Sequence, residues 1–363
     1  MNLLVNGYKI YEIVLVTFLT SFLSVPVVIK IAHHVNAIDY PNERKVHKSP
    51  MPRLGGVAIF GAFLVGYMLY APMTTKMLSI LISSFVMILL GIFDDINSIR
   101  ARYKFIVQIL AACIIVFYGQ IFLSDISAFG LQFVIPSPLN YILTIFFIVS
   151  IINAINLIDG LDGLCSGISL IYFVTIFIIA FILNTLGGLD VILSLIMIGA
   201  IFGFLMFNFS PAKIFLGDSG SYFLGLIIAI IALLGFKGAT LTSLIIPLII
   251  LIIPIFDTTL AIARRLLKHG NIGVADKEHF HHQLLKMKFS PRTTVLIIYL
   301  INILFAAVSI FYVLGDNRIA LGIYVGLMLI LLFIVLKTDI LFEHTKKEKV
   351  EKPIKKNKTK KKK

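Results

Sequence analysis

The sequence predicts an all-α integral membrane protein with about eleven transmembrane helices. Of its 363 residues, 59% are hydrophobic and only 14% are charged, whereas soluble domains are about half apolar and about a quarter charged. The apolar residues form runs along the whole chain, each close to the roughly 20 residues that cross a bilayer as a helix. Composition therefore excludes an ordinary soluble enzyme, and the spread of the runs excludes a receptor with a single span.

Eleven apolar runs are the candidate spans. Their approximate bounds are 11–32, 54–73, 77–93, 104–118, 139–155, 164–184, 189–208, 219–235, 241–260, 293–314 and 318–336. The ninth run contains Pro247 and Pro254, and because proline kinks a helix, we expect this run to be bent or broken near its cytoplasmic half. Residues 124–138 alternate loosely and contain turn residues, which predicts a small hairpin or an interfacial segment.

The basic residues predict an N-terminus outside and a C-terminus in the cytoplasm, since cytoplasmic loops are rich in Lys and Arg. In this orientation only four of the 32 Lys and Arg residues lie outside, namely Lys9, Lys76, Lys237 and Arg318. Residues 1–337 then form one transmembrane domain, and residues 338–363 form a polybasic tail that we expect to be disordered. The tail directly follows the last span, which favours binding to anionic membrane lipids over nucleic acid.

Most of the informative polar residues fall in the connections on the predicted cytoplasmic side. These connections are residues 33–53, 94–103, 156–163, 209–218 and 261–292. Polar residues concentrated at one end of a helix bundle are more typical of an enzyme that works at the membrane surface than of a channel or transporter.

The connection before the second span contains two prolines, two glycines and several basic residues. Ordinary cytoplasmic positive charge is a sufficient explanation for Lys45. It is a weaker explanation for Lys48 and Arg53, which lie nearest the pair Gly55-Gly56. This segment is therefore predicted to be a stiff, cationic approach to a helix.

The pair Asp94-Asp95 ends the third predicted helix. Adjacent carboxylates repel each other unless a cation or a proton lies between them, and the C-terminal end of a helix is unfavourable for anions. Neighbouring helical residues point about 100° apart, so one carboxylate can hold a metal while the other has another role. A solvated helix end is the alternative interpretation, and the charge pattern favours function.

Polar residues recur at every third position after the fifth predicted helix. They are Asn153, Asn156, Asp159 and Asp162. These side chains share one face if the segment stays helical, whereas Gly160 and Gly163 would let a ligand approach the backbone closely. Four polar or charged side chains between two spans cost free energy, which favours a functional role. The alternative interpretation is a glycine-rich turn in which Asn and Asp cap the helices.

The run Phe215-Leu-Gly-Asp-Ser-Gly-Ser leads into the eighth predicted helix. Backbone N–H groups at a helix start suit an anion, and the carboxylate of Asp218 suits a hard cation, so together they describe a phosphate–magnesium site. Asp and Ser are also good helix N-caps, which is the alternative interpretation.

The run His279-Phe-His281-His282 lies in the longest predicted cytoplasmic connection. Its spacing suits a transition metal, although zinc sites usually add cysteine or widely spaced partners. The same histidines could equally bind phosphate oxygens, and a histidine-rich loop without a function is the third interpretation.

Together these motifs resemble one family, the polyprenyl-phosphate N-acetylhexosamine-1-phosphate transferases. The matching runs are Lys48-Ser-Pro-Met-Pro-Arg-Leu-Gly-Gly, Phe93-Asp94-Asp95, Asn156-Leu-Ile-Asp-Gly-Leu-Asp-Gly, Phe215-Leu-Gly-Asp-Ser-Gly-Ser and His279-Phe-His-His. They occur in the family's order on one side of the predicted spans and cover residues 11–336. Each run alone is a weak signal, whereas five in order are a strong one.

The resemblance implies transfer of a sugar 1-phosphate from a UDP-sugar to undecaprenyl phosphate, with release of UMP and use of Mg²⁺, for which Mn²⁺ is an alternative. The implied location is the bacterial cytoplasmic membrane, with the active site facing the cytoplasm; a homodimer is left open. Pro-Arg-Leu-Gly-Gly and His-x-His-His resemble the branch that uses UDP-N-acetylglucosamine for teichoic acid, O-antigen or related surface glycans. Phe280 departs from the aliphatic residue usual in that branch, so another UDP-HexNAc or the muramyl-pentapeptide donor stays open.

The resemblance also implies roles for single residues. Asp218 and Asp95 are the implied magnesium ligands, and Asp94 would deprotonate or orient the lipid phosphate. With Asp159 and Asp162, the pair Asp94-Asp95 makes up the implied catalytic set. The implied substrate-binding residues are Lys48 and Lys104 near the phosphates, Asn156 on the nucleotide side, Asp162 and Phe215 at the uracil, and His279, His281 and His282 at the pyrophosphate.

A transporter is the main alternative from another class, because carboxylates within membrane helices mark ion and proton routes. It predicts acids in the middle of spans and inverted repeats. Here the acids lie at span ends on one side, and the two halves show no convincing repeat. A binding-only scaffold is a weaker alternative, since it has no need of the aspartates at 94, 159, 162 and 218.

Overall fold

The computed structural model describes residues 4–41, 49–128, 131–234, 245–267 and 280–337. The helices in these ranges are α1 Ile10–His34, α2 Gly55–Tyr70, α3 Thr75–Ile96, α4 Ala101–Cys113, α5 Leu139–Ile158, α6 Leu164–Ile182, α7 Leu189–Asn208, α8 Gly217–Leu234, α9 Ile245–Ile250, α10 Ile252–Leu267, α11 Phe280–Lys286, α12 Pro291–Leu314 and α13 Asn317–Lys337. A π-helical turn, Ile114–Tyr118, continues α4. The strands form three antiparallel hairpins, β1 Leu4–Val5 with β2 Tyr8–Lys9, β3 Ile38–Asp39 with β4 Met51–Pro52, and β5 Asp125–Ala128 with β6 Leu131–Val134.

Eight helices of the described residues are long and apolar enough to cross a membrane: α1, α3, α4 with its π turn, α5, α6, α7, α8 and α12. Helix α2 and the part Arg318–Ile334 of α13 are shorter apolar helices at the second and eleventh predicted runs. The ninth run lies partly outside the described residues, and its described part breaks at Leu251, close to the expected point. The hairpin predicted within 124–138 is present as β5 and β6. The all-α membrane class is confirmed, while eleven spans and their orientation stay predictions.

Helix α8 lies at the centre of the bundle. It packs against α2, α3, α5, α6 and α7, and 89% of its residues are buried. After the first turn its sequence is apolar around the whole circumference, as expected for a helix with neighbours on every side. Its polar first turn, residues 217–221, is therefore held in the middle of one end of the bundle.

Two glycines bring α2 and α3 against the start of α8. A Cβ on Gly56 would overlap the backbone of Gly220, and a Cβ on Gly91 would overlap the backbone of Ser219. Small residues at such contacts let membrane helices approach closely. The contact places the C-terminal end of α3 directly beside the first turn of α8.

The short extended segment before α2 contacts the same turn from another side. Its strand β4 pairs with β3, and the backbone N–H of Phe215 donates to the carbonyl of Pro52 at 2.8 Å. The N–H of Gly55 donates in return to the carbonyl of Phe215 at 3.0 Å. These bonds hold Arg53, one of the two residues between Pro52 and Gly55, against the start of α8.

Candidate active site

Asp95, at the end of α3, presents its carboxylate to the first turn of α8. Its Oδ1 accepts from the backbone N–H of Asp218 (2.8 Å) and from Nε of Arg53 (3.2 Å). Its Oδ2 accepts from the backbone N–H of Ser219 (3.0 Å). A carboxylate at a helix N-terminus interacts favourably with the helix dipole, and this side chain is completely buried. Three N–H donors on both oxygens favour a positioning role for Asp95, while the predicted metal ligation stays a prediction.

Asp94, the neighbouring carboxylate, has a separate set of partners. Its Oδ1 accepts from the backbone N–H of Ile99 (2.8 Å), and its Oδ2 accepts from the hydroxyl of Tyr222 (3.1 Å). The same oxygen forms an ion pair with Nζ of Lys104, in the first turn of α4. The two adjacent aspartates thus serve different neighbours, as their angular offset predicts, and the structure brings the predicted Lys104 to Asp94.

Asp218 lies in the first turn of α8, and 21% of its side chain is exposed. Its Oδ1 accepts from Nδ2 of Asn156 (2.7 Å), which also donates to Oγ of Ser221 (2.9 Å). Its Oδ2 accepts from Nη2 of Arg53 (3.3 Å). Four parts of the sequence that are far apart in the chain therefore meet at this turn, through Arg53, Asp95, Asn156 and Asp218.

Arg53 joins three acids from three segments, which the sequence analysis did not anticipate. Besides Asp95 and Asp218, its guanidinium contacts Oδ1 of Asp39 through Nη1 at 3.5 Å. Burial alone would lower the pKa of Arg53, but four nearby carboxylates outweigh it and raise that pKa, so the side chain stays charged. The place of Arg53 beside a glycine pair was its sequence signal, whereas Asp39 and Tyr222 belong to no motif and were missed.

A cavity of about 550 Å³ opens beside this cluster, within the size range of small-molecule sites. Its lining includes Asp39, Arg53, Asp159, Asp162, Phe215 and His282. Four residues predicted from three separate motifs, at positions 159, 162, 215 and 282, therefore share one cavity.

The acids of the cavity create a site that favours a cation. Burial, together with the nearby carboxylates of Asp218 and Asp95, raises the pKa of Asp159 to about 8. Asp162 accepts from the backbone N–H of Ala212 (3.1 Å), which ties its loop to the connection before α8. A cation that binds here would relieve the repulsion among these carboxylates.

The histidine motif enters the cavity on α11. The backbone N–H of Phe280, at the start of this helix, donates to Oδ1 of Asp257 on α10 (2.8 Å). His281 is buried with its ring against Gly160, where an added Cβ would overlap it, and its centroid lies 4.3 Å from that of His282. Asp257, three residues after Pro254, thus holds the start of the helix that carries the histidines.

Two predicted substrate ligands, Lys48 and His279, lie outside the described residues, and so does the tail at 338–363. Among the residues that the structure describes, no three His, Cys, Asp or Glu side chains are arranged to hold a metal by themselves. Mg²⁺ usually takes one or two protein carboxylates and completes its shell with water and substrate phosphates. The partly exposed carboxylate of Asp218, among other acids, fits that pattern.

The chain is similar to known membrane transferases over most of its length. The sequence model of glycosyl transferase family 4 matches residues 77–236. A probable undecaprenyl-phosphate N-acetylglucosaminyl 1-phosphate transferase of Bacillus subtilis is 42% identical over 328 residues, which cover 87% of this chain and 88% of that protein. A decaprenyl-phosphate N-acetylglucosaminephosphotransferase of Mycobacterium tuberculosis is 34% identical over 343 residues, 84% of each chain. An undecaprenyl-phosphate alpha-N-acetylglucosaminyl 1-phosphate transferase of Escherichia coli is 27% identical over 322 residues, which cover 85% of this chain and 84% of that protein.

Proposed function

The chain belongs to glycosyl transferase family 4, and from this premise we propose that it transfers N-acetylglucosamine 1-phosphate from UDP-N-acetylglucosamine to undecaprenyl phosphate. It is a glycosyl-1-phosphate transferase, and the names of its relatives support this donor and a polyprenyl phosphate acceptor. The observation that carries the proposal is the convergence of Asp94, Lys104 and Asp218 at the start of α8, beside the cavity of about 550 Å³. The first membrane step of teichoic acid or a similar surface glycan is the proposed place of the reaction.

In the proposed reaction, an oxygen of the acceptor phosphate attacks the β-phosphorus of the donor in line. The new bond joins this oxygen to phosphorus, the bond from phosphorus to the bridging oxygen breaks, and UMP leaves with the bridging oxygen. A phosphate monoester has a second pKa of about 6 and is largely a dianion at pH 7, so the attack requires little proton removal. Positioning and charge neutralisation therefore carry most of the catalysis.

Asp94 and Lys104 form the proposed acceptor side. The Lys104 side chain is 23% exposed, and Asp94 holds its ammonium beside the first turn of α8. Tyr222 and the backbone of Ile99 fix Asp94 in turn. Asp94 thus orients the ammonium that binds the acceptor phosphate, a role that needs no proton transfer.

Asp218 is the proposed magnesium ligand, and Mn²⁺ is the alternative ion. When bound, the ion neutralises charge on the diphosphate and on the departing UMP. Asn156 and Arg53 hold the Asp218 carboxylate in one orientation. Asp95 holds the backbone of the same turn, so that its proposed role is to position Asp218.

The cavity is the proposed donor site. Phe215 and Asp162 are proposed to contact the uracil, and Asp159, which lines the same cavity, is part of the proposed catalytic set. The pyrophosphate is the proposed ligand of the basic residues, namely His279, His281, His282 and Lys48. His282 has the strongest support among them, because it lines the cavity.

The proposed location is the bacterial cytoplasmic membrane, with the site facing the cytoplasm, where the charged donor is dissolved. The distribution of Lys and Arg supports this orientation. Residues 1–337 form the proposed transferase domain, and the tail at 338–363 is proposed to bind anionic lipids. A homodimer remains an open alternative to a monomer.

Release of UMP by the purified protein tests this function. We expect UMP when UDP-N-acetylglucosamine, undecaprenyl phosphate and Mg²⁺ are all present, and none when any of the three is left out. Other UDP-HexNAc donors and the muramyl-pentapeptide donor, assayed in the same way, test the specificity. Protein that is folded but releases no UMP from any of these donors would contradict the proposal.

A further inference from the structure

Arg53 is the one residue with a permanent positive charge among the described residues that line the cavity. The other ionisable residues of the lining are three acids, Asp39, Asp159 and Asp162, and the titratable His282. A diphosphate that enters this cavity meets carboxylates on several sides. Because an anion that loses water needs charged donors in exchange, the cavity needs a cation where the phosphates bind.

The guanidinium of Arg53 has hydrogen-bond donors left for a ligand. Nε donates to Asp95 (3.2 Å) and Nη2 donates to Asp218 (3.3 Å), which fixes one edge of the group. Nη1 reaches Asp39 at 3.5 Å, the longest of the three contacts. A guanidinium carries five N–H donors, so two remain beyond these bonds within the described structure, and 29% of the side chain is exposed.

We infer that Arg53 binds the diphosphate of the nucleotide sugar directly, in addition to holding Asp218. The inference rests on the proposed function and assigns one further residue to the donor site. One N–H of Nη1 and one of Nη2 donate to phosphate oxygens, while Nε stays on Asp95. The planar fork of arginine matches two phosphate oxygens at once, whereas the ammonium of lysine acts as a point charge.

Nucleotide binding to the purified full-length protein tests this contact, with UDP and uridine as the two probes. UDP carries the diphosphate, whereas uridine carries only the base and the ribose. In Arg53→Met we expect the affinity for UDP to fall by about tenfold or more while the affinity for uridine stays the same. Arg53→Lys keeps the charge but loses the fork, so its loss for UDP should be smaller. Calorimetric titration at one fixed Mg²⁺ concentration, repeated in EDTA, separates the contact from an effect on the metal.

Arg102→Met is the matched control, because Arg102 is an exposed arginine stacked on the ring of Tyr103. It should bind UDP as the unchanged protein does. Thermal unfolding of each variant in the same detergent reports whether the fold is intact.

Equal affinity for UDP in Arg53→Met and in the unchanged protein would overturn the inference. A parallel loss of UDP and uridine would also overturn it, because Arg53 would then only hold the site together. If Arg53→Met does not fold, Arg53→Lys decides: a loss confined to UDP supports the contact, and an unchanged affinity overturns it. An unchanged protein that binds neither probe would overturn the proposed function and this inference together.

Discussion

The first turn of α8 has two sides that differ in exposure. On the closed side, made of Asp94, Asp95 and Tyr222, the carboxylate side chains are 1% and 0% exposed. On the open side, made of Asp39, Arg53 and Asp218, the carboxylate side chains are 14% and 21% exposed, and Asp39 and Arg53 line the cavity. The closed side is satisfied by protein donors alone, whereas the open side has donors and acceptors available to ligands.

This difference in exposure predicts which substitutions around the first turn of α8 lower the stability of the fold and which lower its activity. Removal of one partner of a buried charge leaves the other uncompensated, which destabilises a fold strongly. A partly exposed carboxylate can be neutralised with little effect on folding, so its loss should show in turnover. Asp95→Ala on the closed side and Asp218→Asn on the open side should therefore have opposite signatures, the first in stability and the second in turnover.

Asp218→Asn should have the largest effect on activity. The amide keeps the size of the side chain and can still accept from Asn156, but it removes the charge that is proposed to hold Mg²⁺. We expect UMP release to fall by about 10³-fold, with a melting temperature close to that of the unchanged protein. Asp190→Asn is the matched control, because Asp190 also lies in the first turn of a helix, α7, away from the site. Turnover retained in Asp218→Asn would remove the metal assignment.

Asp95→Ala should have the largest effect on stability. It removes two hydrogen bonds to the backbone at the start of α8 and the one from Nε of Arg53, so we expect a loss of about 3 kcal/mol in the free energy of unfolding. Asp316→Ala is the control, since Asp316 caps α13 from an exposed position and should cost only about 1 kcal/mol. Thermal or denaturant unfolding in one detergent compares them. Similar losses in both variants would contradict the distinction between the two sides.

The meeting of the motifs could be predicted from the sequence, whereas their hydrogen bonds could not. Spans of regular length carry every predicted cytoplasmic connection to the same end of the bundle, so Asp94, Asp159 and Asp218 were expected at that end. The cap that Asp95 forms depends on the approach of α3 to a different helix, and sequence spacing does not contain that distance. Asp39 lies in a two-residue strand without periodicity, so no local pattern marked it.

A pair of amides beneath the closed side provides a smaller test. Nδ2 of Asn153 donates to Oε1 of Gln108 at 2.7 Å, and Nε2 of Gln108 returns a bond at 3.5 Å. Gln108 lies one turn after Lys104 on α4, so the pair aligns that lysine with α5. We expect a coupling of about 0.6 kcal/mol between Gln108→Leu and Asn153→Leu in a double-mutant cycle on unfolding. Each variant should also raise KM for the acceptor more than it lowers kcat, and additive effects would show that the pair does not join the helices.

Deletion of residues 346–363 should have the smallest effect on catalysis. The segment carries all eleven Lys residues of the polybasic tail, but every residue proposed for chemistry precedes it in the chain. Positive charge near a membrane attracts anionic lipid and is screened over about 10 Å at an ionic strength of 0.1 M, so it adds little at the start of α8. We expect UMP release in detergent within about twofold of the full chain, and weaker binding to anionic vesicles for the deleted form. A larger loss of turnover at equal expression would mean that the positive charge of the tail, far from the first turn of α8 in the chain, also contributes to the reaction.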